Sequence, residues 1–178
     1  MEPGKTLRFH FTFFLCILFG SVLGEFSPGD TPPPVVLSGD LGGRMDGRPW
    51  CSDSCNGRLT AIFYVDPDER TLNQPAFDSL KAAGFPEDRF FSIAVLNLAA
   101  TWMPDAILKA LLKQKQKKFP RTVYVNDLKK TLVKVWGLRD NSSDIIVLGK
   151  EGKVLFSRDG KLSENDLKRM MALIRENL

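Results

Sequence analysis

Apolar positions along this chain follow two rhythms, and the switches between them mark out its elements. Leu59-Thr-Ala-Ile-Phe-Tyr-Val65 is apolar nearly throughout and rich in β-branched and aromatic residues. That is the pattern of a strand covered on both faces, expected in the middle of a sheet. After the turn Asp66-Pro-Asp-Glu-Arg70 a helical rhythm takes over. A helix is predicted to start near an Asn73 cap with Pro75 in its first turn, to direct Phe77, Leu80 and Ala83 inward, and to stop at Gly84. Phe90 to Leu96 reads as the next strand. Pro104 opens a helix whose Ile107, Leu108, Leu111 and Leu112 form one apolar face; Phe119-Pro120 ends it before the strand Thr122 to Val125. A third helix carries Leu128, Leu132, Val135 and Trp136 inward and closes at Gly137.

The last third changes character. Ile145 to Leu148, a turn at Gly149-Lys-Glu-Gly152, and Val154 to Ser157 predict a hairpin, since so short a connection joins antiparallel neighbours. The final helix begins at Ser163, which with Asp166 approximates a capping box, and buries Leu167, Met170, Met171, Ile174 and Leu178. Parallel β-α-β units followed by a hairpin and a helix cover both faces of one mixed sheet.

Upstream, the pattern is of another kind. Lys5 and Arg8 precede an almost uncharged apolar run, Phe11 to Leu23, which ends in small residues before Glu25. That order is a secretory signal peptide, read here as residues 1–24 with cleavage after Gly24. The run falls short of the roughly 20 apolar residues of a spanning helix. Cys16 stands in mid-run, so lipidation is not expected. Residues 25–34 form an extended lead-in, because consecutive prolines exclude helix, and a short strand at Val35 to Leu37 opens a folded domain over residues 35–178. Gly39, Gly42, Gly43, Gly47 and Pro49 read as turns.

Removal of the signal changes the chemistry available. The formal charge falls from +4 to +3 as Lys5, Arg8 and Glu2 leave, too little for a dedicated nucleic-acid binder. The sole histidine, His10, leaves as well. No Ser-His-Asp triad, Cys-His pair or His-bearing zinc or copper site can then form within one mature molecule. Two cysteines remain, Cys51 and Cys55.

The element order, the Gly137-Leu-Arg turn and the Lys150-Glu-Gly-Lys153 hairpin resemble the thioredoxin-like superfamily, especially membrane-tethered and peroxiredoxin-type members with an inserted helix and strand. Within it, Phe119-Pro120, Val135-Trp136-Gly137-Leu138, Ser142-Ser143, Ile146-Val147-Leu148, Glu151-Gly152 and Asp159-Gly160-Lys161-Leu162 look like the YtfJ-like family of periplasmic proteins. Trp50, Asn56-Gly57-Arg58 and Pro86, Asp88 and Arg89 fit the same family. The resemblance implies a thioredoxin-like three-layer α/β/α sandwich and a periplasmic location. The family carries no established activity, so it implies no reaction.

In a redox member of the superfamily a Cys-x-x-Cys sits at the carboxyl end of the central strand, where a helix start lowers the first thiol's pKa. Here that position reads Asp66-Pro-Asp-Glu-Arg70, and Ser142-Ser143-Asp144 stands where a cis-proline is expected. Trp50-Cys-Ser-Asp-Ser-Cys55 is similar to a redox motif with one added residue and to the Cys-x-x-x-Cys of copper metallochaperones. It precedes the central strand, however, Asn56-Gly57 denies it a following helix, and Asp53 disfavours a thiolate. The plain reading is a Cys51–Cys55 disulfide closing a small loop, worth roughly 2 kcal/mol. Redox chemistry and metal binding or intermolecular pairing are the alternatives.

Asp66, Asp68, Glu69 and Asp127 form a candidate ligand edge, since ligands of open α/β sheets gather at the carboxyl ends of strands. Hard cations suit those oxygens, yet Asp beside Pro is ordinary turn chemistry, which is the reading preferred. Lys109, Lys113, Lys115, Lys117, Lys118 and Arg121 give the inserted helix a basic end, read first as a solvated face and second as a contact for an acidic envelope partner or anionic surface. Trp102 is expected to fill core, with an exposed anchor as the alternative. The sequence therefore predicts an exported, non-catalytic binding or accessory protein of the cell envelope, with neither cofactor nor metal. Its partner would be an envelope protein or anionic surface; neither nucleic acid nor, once the signal is removed, an integral membrane segment is expected. The second hypothesis is a thiol-disulfide oxidoreductase with Cys51 as nucleophile and Cys55 as resolving thiol.

Overall fold

The computed structural model describes residues 26–178. The expected signal at 1–24, with Cys16 and His10, lies outside the described residues. Eight strands and four α-helices follow in the order β1 (Val36–Leu37), β2 (Gly42–Arg44), β3 (Trp50–Cys51), β4 (Leu59–Val65), α1 (Gln74–Ala83), β5 (Phe90–Asn97), α2 (Asp105–Lys118), β6 (Thr122–Asp127), α3 (Thr131–Trp136), β7 (Ser143–Leu148), β8 (Val154–Arg158) and α4 (Glu164–Glu176).

Six strands make the main sheet, in the spatial order β2-β6-β5-β4-β7-β8, while β1 and β3 pair as a separate antiparallel ribbon. β4, β5 and β6 run parallel; β2, β7 and β8 are antiparallel to their neighbours. As expected of the most apolar segment, β4 is central, and all seven of its residues are buried. Its period-two alternation splits the core in two. Leu59, Ala61, Phe63 and Val65 face a layer containing Phe77 and Leu80 of α1, Leu108 and Leu112 of α2, and Met170 and Ile174 of α4. Ile62 and Tyr64 face Leu132 and Trp136 of α3, with Val35, Leu37 and Trp50 completing that layer. Full burial of each large side chain contributes about 1.5–3 kcal/mol, so the two-sided cover of β4 anchors the molecule.

Local signals account for several boundaries. Gly84 ends α1 in the left-handed region (φ 58°), where a Cβ would be strained. Ser163 and Asp166 make the reciprocal capping box at α4. The lead-in docks through Gly29 and Val154, which bond through N to O, and through Trp136 Nε1, which donates to the Pro33 carbonyl at 2.7 Å.

Other expectations are corrected. Gly42 and Gly43 are not turn residues but part of edge strand β2. At Gly42 (φ 122°) an added Cβ would lie 1.9 Å from the Asn126 carbonyl oxygen, so glycine permits the close approach to β6. Ile107 (53% exposed), Leu128 and Val135 point outward, since no element among the described residues covers their side of the helix or turn that carries them. Trp102 fills no core: it is 84% exposed. Asn73 precedes α1 but makes no side-chain cap bond.

Candidate functional site

The sheet register brings one set of polar residues into a row. Val65 pairs with Leu96 on one side and Ser143 on the other, Tyr64 with Asp144, and Asn97 with Asp127. The carboxyl ends of β4, β5 and β6 therefore meet the start of β7, placing Asp66, Asn97, Asp127, Ser142, Ser143 and Asp144 along one edge. All six are buried, as is the neighbouring Asn73. Such density of buried polar groups is sustainable only where each finds a partner.

The partners are supplied from within. Asp66 accepts from the Asp68 amide at 2.9 Å, and its own amide donates to the Ser142 carbonyl at 3.0 Å. Burial pushes the Asp66 carboxyl above its usual range, with the Asp68 amide opposing. Asp127 accepts from the amides of Lys129 (3.2 Å), Thr131 (2.8 Å) and Leu132 (2.9 Å), and from the Tyr64 hydroxyl at 3.3 Å. It serves the start of α3 as a capping carboxylate. The Tyr64 hydroxyl is held protonated by burial and by the Asp127 carboxylate. Asp68 and Glu69 are exposed. The four carboxylates of the expected ligand edge thus divide, Asp66 and Asp127 bonded within the fold and Asp68 and Glu69 exposed, and among the described residues no three His, Cys, Asp or Glu side chains gather so as to hold a metal ion.

Sequence reasoning missed a buried carboxyl that the fold perturbs strongly. Burial, followed by the neighbouring carboxyl of Asp159, pushes Asp144 up to about 8. Its Oδ2 accepts from the Arg139 amide at 3.0 Å, but no donor among the described residues reaches Oδ1. The two carboxyls therefore share a proton that resides on the more buried Asp144. Asp159 is held below its usual range although burial opposes this, because Asp144, the Ser142 hydroxyl (2.6 Å) and Arg139 (2.8 Å) all favour its anion. Asp140 belongs to a second chain of contacts, accepting from Asn97 Nδ2 at 2.8 Å and pairing with Lys130 at 2.5 Å. Lys130 and Asn141 are the two non-glycine residues with positive φ among the described residues, and both lie in loops at this edge. Asn73 closes the group: Nδ2 donates to Ser143 O (3.1 Å), Ser143 Oγ (3.1 Å) and Gly160 O (2.8 Å), while Oδ1 accepts from the Leu162 amide at 2.9 Å. The signal for this cluster was the run Arg139 to Asp144 where a proline was expected. The partners Asn73 and Asp159 come from remote chain positions.

The thiols lie elsewhere. Cys51 ends β3 in extended backbone and is partly exposed; Cys55 closes the 3-10 turn Ser52–Cys55 and is buried beside Ile62 and Leu148. Both are free. The expected disulfide is thus not present: a bridge needs Cβ atoms about 3.8 Å apart, and the turn sends Cys55 into the core while Cys51 stays at the surface. The pair adjoins the amino end of β4, where the Thr60 hydroxyl approaches the Cys55 carbonyl at 3.4 Å. Asp66 stands at the other end, roughly 20 Å along the strand. Burial pushes the Cys55 thiol up to about 12, with Cys51 and Asp53 adding to the effect and Arg58 opposing it. A thiol so strongly held in its protonated form is a poor resolving group.

The basic end of α2 divides into two. Lys115 reaches Gln74 Oε1 at 2.5 Å over the rings of Phe77 and Phe119, Lys118 pairs with Asp78 at 3.0 Å, and Arg121 pairs with Glu87 at 2.6 Å. Lys113 and Lys117 face outward beside Ile107, Ala110 and Gln114, without a carboxylate partner among the described residues. Lys109 lies on the same helix.

Comparison with known proteins places this geometry in context. The model of a family described as "Bacterial protein of unknown function (YtfJ_HI0045)" matches residues 42–177. An uncharacterized protein of Haemophilus influenzae is 29% identical over 133 residues, covering 71% of each chain. The uncharacterized protein YtfJ of Escherichia coli K12 is 23% identical over 167 residues, covering 86% of this chain and 88% of that protein. Among solved structures, a putative thiol:disulfide interchange protein DsbE from Chlorobium tepidum superposes with a TM-score of 0.58 at 15% identity, covering 83% of this chain and 98% of that one. Likeness at that identity establishes the fold, a thioredoxin-like α/β sandwich.

Proposed function

This chain belongs to the YtfJ_HI0045 family of bacterial proteins of unknown function, and we propose that it is an exported, periplasmic thioredoxin-fold protein that acts by binding another envelope protein, not by thiol chemistry. One observation carries the reading: where a redox relative places its dithiol, this chain has Asp66-Pro67-Asp68-Glu69, with Asp66 buried and bonded into its own turn. The thiols it does possess sit beside the opposite end of the central strand, and burial holds Cys55 protonated. The apolar run after Lys5 and Arg8 supports export. Among the described residues no helix is long and apolar enough to cross a membrane.

The outward face of α2 is the contact surface this reading favours. On that face Ile107 exposes apolar area next to Lys113 and Lys117, whose charges no carboxylate neutralises among the described residues, and the exposed Trp102 stands in the loop just before the helix. An exposed tryptophan leading into a helix that carries unpaired cations suits a protein with an acidic rim, because tryptophan dominates binding energy at interface centres while rim charges steer approach. The test is site-specific photocrosslinking in Escherichia coli expressing the chain with its own N-terminus. A crosslinker at position 102 should give a discrete adduct in the periplasmic fraction that weakens in the Lys113→Glu/Lys117→Glu variant. Absence of any adduct at 102, or an equal one at a control site on α4 such as Lys168, contradicts the proposal.

A further inference from the structure

The amino edge of the sheet contains a cavity of about 270 Å³ between α1, the loop leading into β5, and the α2–β6 turn. Its walls include Phe77, Phe85, Phe90 and Phe119, and its mouth carries Arg58, Lys81 and Arg121 against one acid, Glu87. An engineered apolar cavity of about 150 Å³ accommodates benzene, so this one has room for on the order of ten non-hydrogen atoms. The rings are fixed by mutual contact: Phe77 stacks on Phe63 at 3.9 Å, Phe85 meets Phe90 edge-on at 5.2 Å, and Phe77 lies 5.6 Å from Phe119. Walls so braced keep the cavity open instead of collapsing into it.

The cations at the mouth are not equivalent. Arg121 is committed, pairing with Glu87 and donating to the Phe85 carbonyl. Arg58 stacks on the Phe91 ring at 4.5 Å and Lys81 lies over Phe119 at 5.6 Å, but neither has a carboxylate partner among the described residues. Two cations thus stand at the entrance of an aromatic cavity without the anion that would complement them.

We propose that this cavity binds a small apolar carboxylate, its aromatic or acyl body among the phenylalanines and its anionic end at Arg58 and Lys81. This is a second site, distinct from the outward face of α2, and it stands whether or not that face docks a protein. An apolar body gains from leaving water, and a carboxylate matches the guanidinium fork of Arg58.

Isothermal titration of the mature protein with 1-naphthoate tests the assignment. Saturable one-to-one binding is expected, with the neutral 1-naphthamide about tenfold weaker, the loss that follows from giving up charge-assisted contacts. The Arg58→Gln/Lys81→Gln variant, altered only at the cavity mouth, should lose about tenfold for naphthoate and little for the amide. Lys113→Gln/Lys117→Gln should bind naphthoate as the wild type does, which separates this site from the docking face. No saturable binding up to the solubility of naphthoate, equal affinity for acid and amide, or an unchanged affinity in the Arg58→Gln/Lys81→Gln variant would each overturn the proposal.

Discussion

The two ends of the central sheet have been finished in opposite ways. At the carboxyl end, where α/β proteins commonly bind ligands, Asp66, Asp127 and Asn73 turn their hydrogen bonds back into the fold. At the amino end the strands stop over phenylalanine rings, leaving a cavity edged by Arg58 and Lys81. A polar edge whose groups bond mostly to one another acts as structure, although Asn97 Oδ1 and Asp144 Oδ1 find no donor among the described residues, whereas an apolar hollow beside unneutralised charge offers room for a ligand. The inherited scaffold therefore does not dictate where function resides.

That contrast makes the carboxyl edge a determinant of stability, and Asn73→Ala should break it most severely. The substitution removes the partners of Ser143 O, Gly160 O and the Leu162 amide at a buried position. A loss of about 3 kcal/mol in chemical denaturation is expected, since each orphaned buried group costs about 1 kcal/mol or more. A loss near zero would show that the edge is solvated and open.

A subtler probe is pH. Asp144 is pushed up to about 8 in the folded protein against about 3.9 when unfolded. The folded state then binds the extra proton between those values, so this group makes stability fall as pH rises from about 4 to about 8. Asp159, held low, acts in the opposite sense only on the acid side, where its contribution is lost as pH falls. Asp144→Asn keeps a donor toward Asp159 and should flatten the decline, gaining on the order of 1–3 kcal/mol over the wild type between pH 5 and 9. Parallel wild-type and variant profiles would refute the shared proton.

The smallest effect should come from the thiols. Cys55→Ser places a hydroxyl in an apolar cluster and is expected to cost about 1–2 kcal/mol. Cys51→Ser, at a partly exposed position that holds no bridge, should change the denaturation midpoint little. Equal losses would indicate a disulfide after all.

How legible this was depended on whether a feature is local. The burial of β4, the stop at Gly84 and the Ser163–Asp166 capping box are set by neighbours within a few residues, and all were readable. Strand β2 was not, because its glycines are specified by contact with Asn126, far along the chain. Periodicity identified the apolar side of α2 but not that Ile107 lacks cover, since a repeat does not reveal whether a neighbouring element arrives. The Asp144–Asp159 pair and the reach of Asn73 across the hairpin depend on the same long-range closure. Cysteine spacing allowed a bridge, but the backbone of the intervening turn decided otherwise.

The central claim, a thioredoxin fold without thiol catalysis, is tested most directly by a pH series of thiol alkylation on the native mature protein, with reduction of a protein disulfide followed in parallel. The account predicts that Cys51 labels in the folded state, that Cys55 labels only on unfolding, and that no disulfide substrate turns over. Rapid labelling of either cysteine at acidic pH, together with turnover abolished by Cys51→Ser, would contradict it.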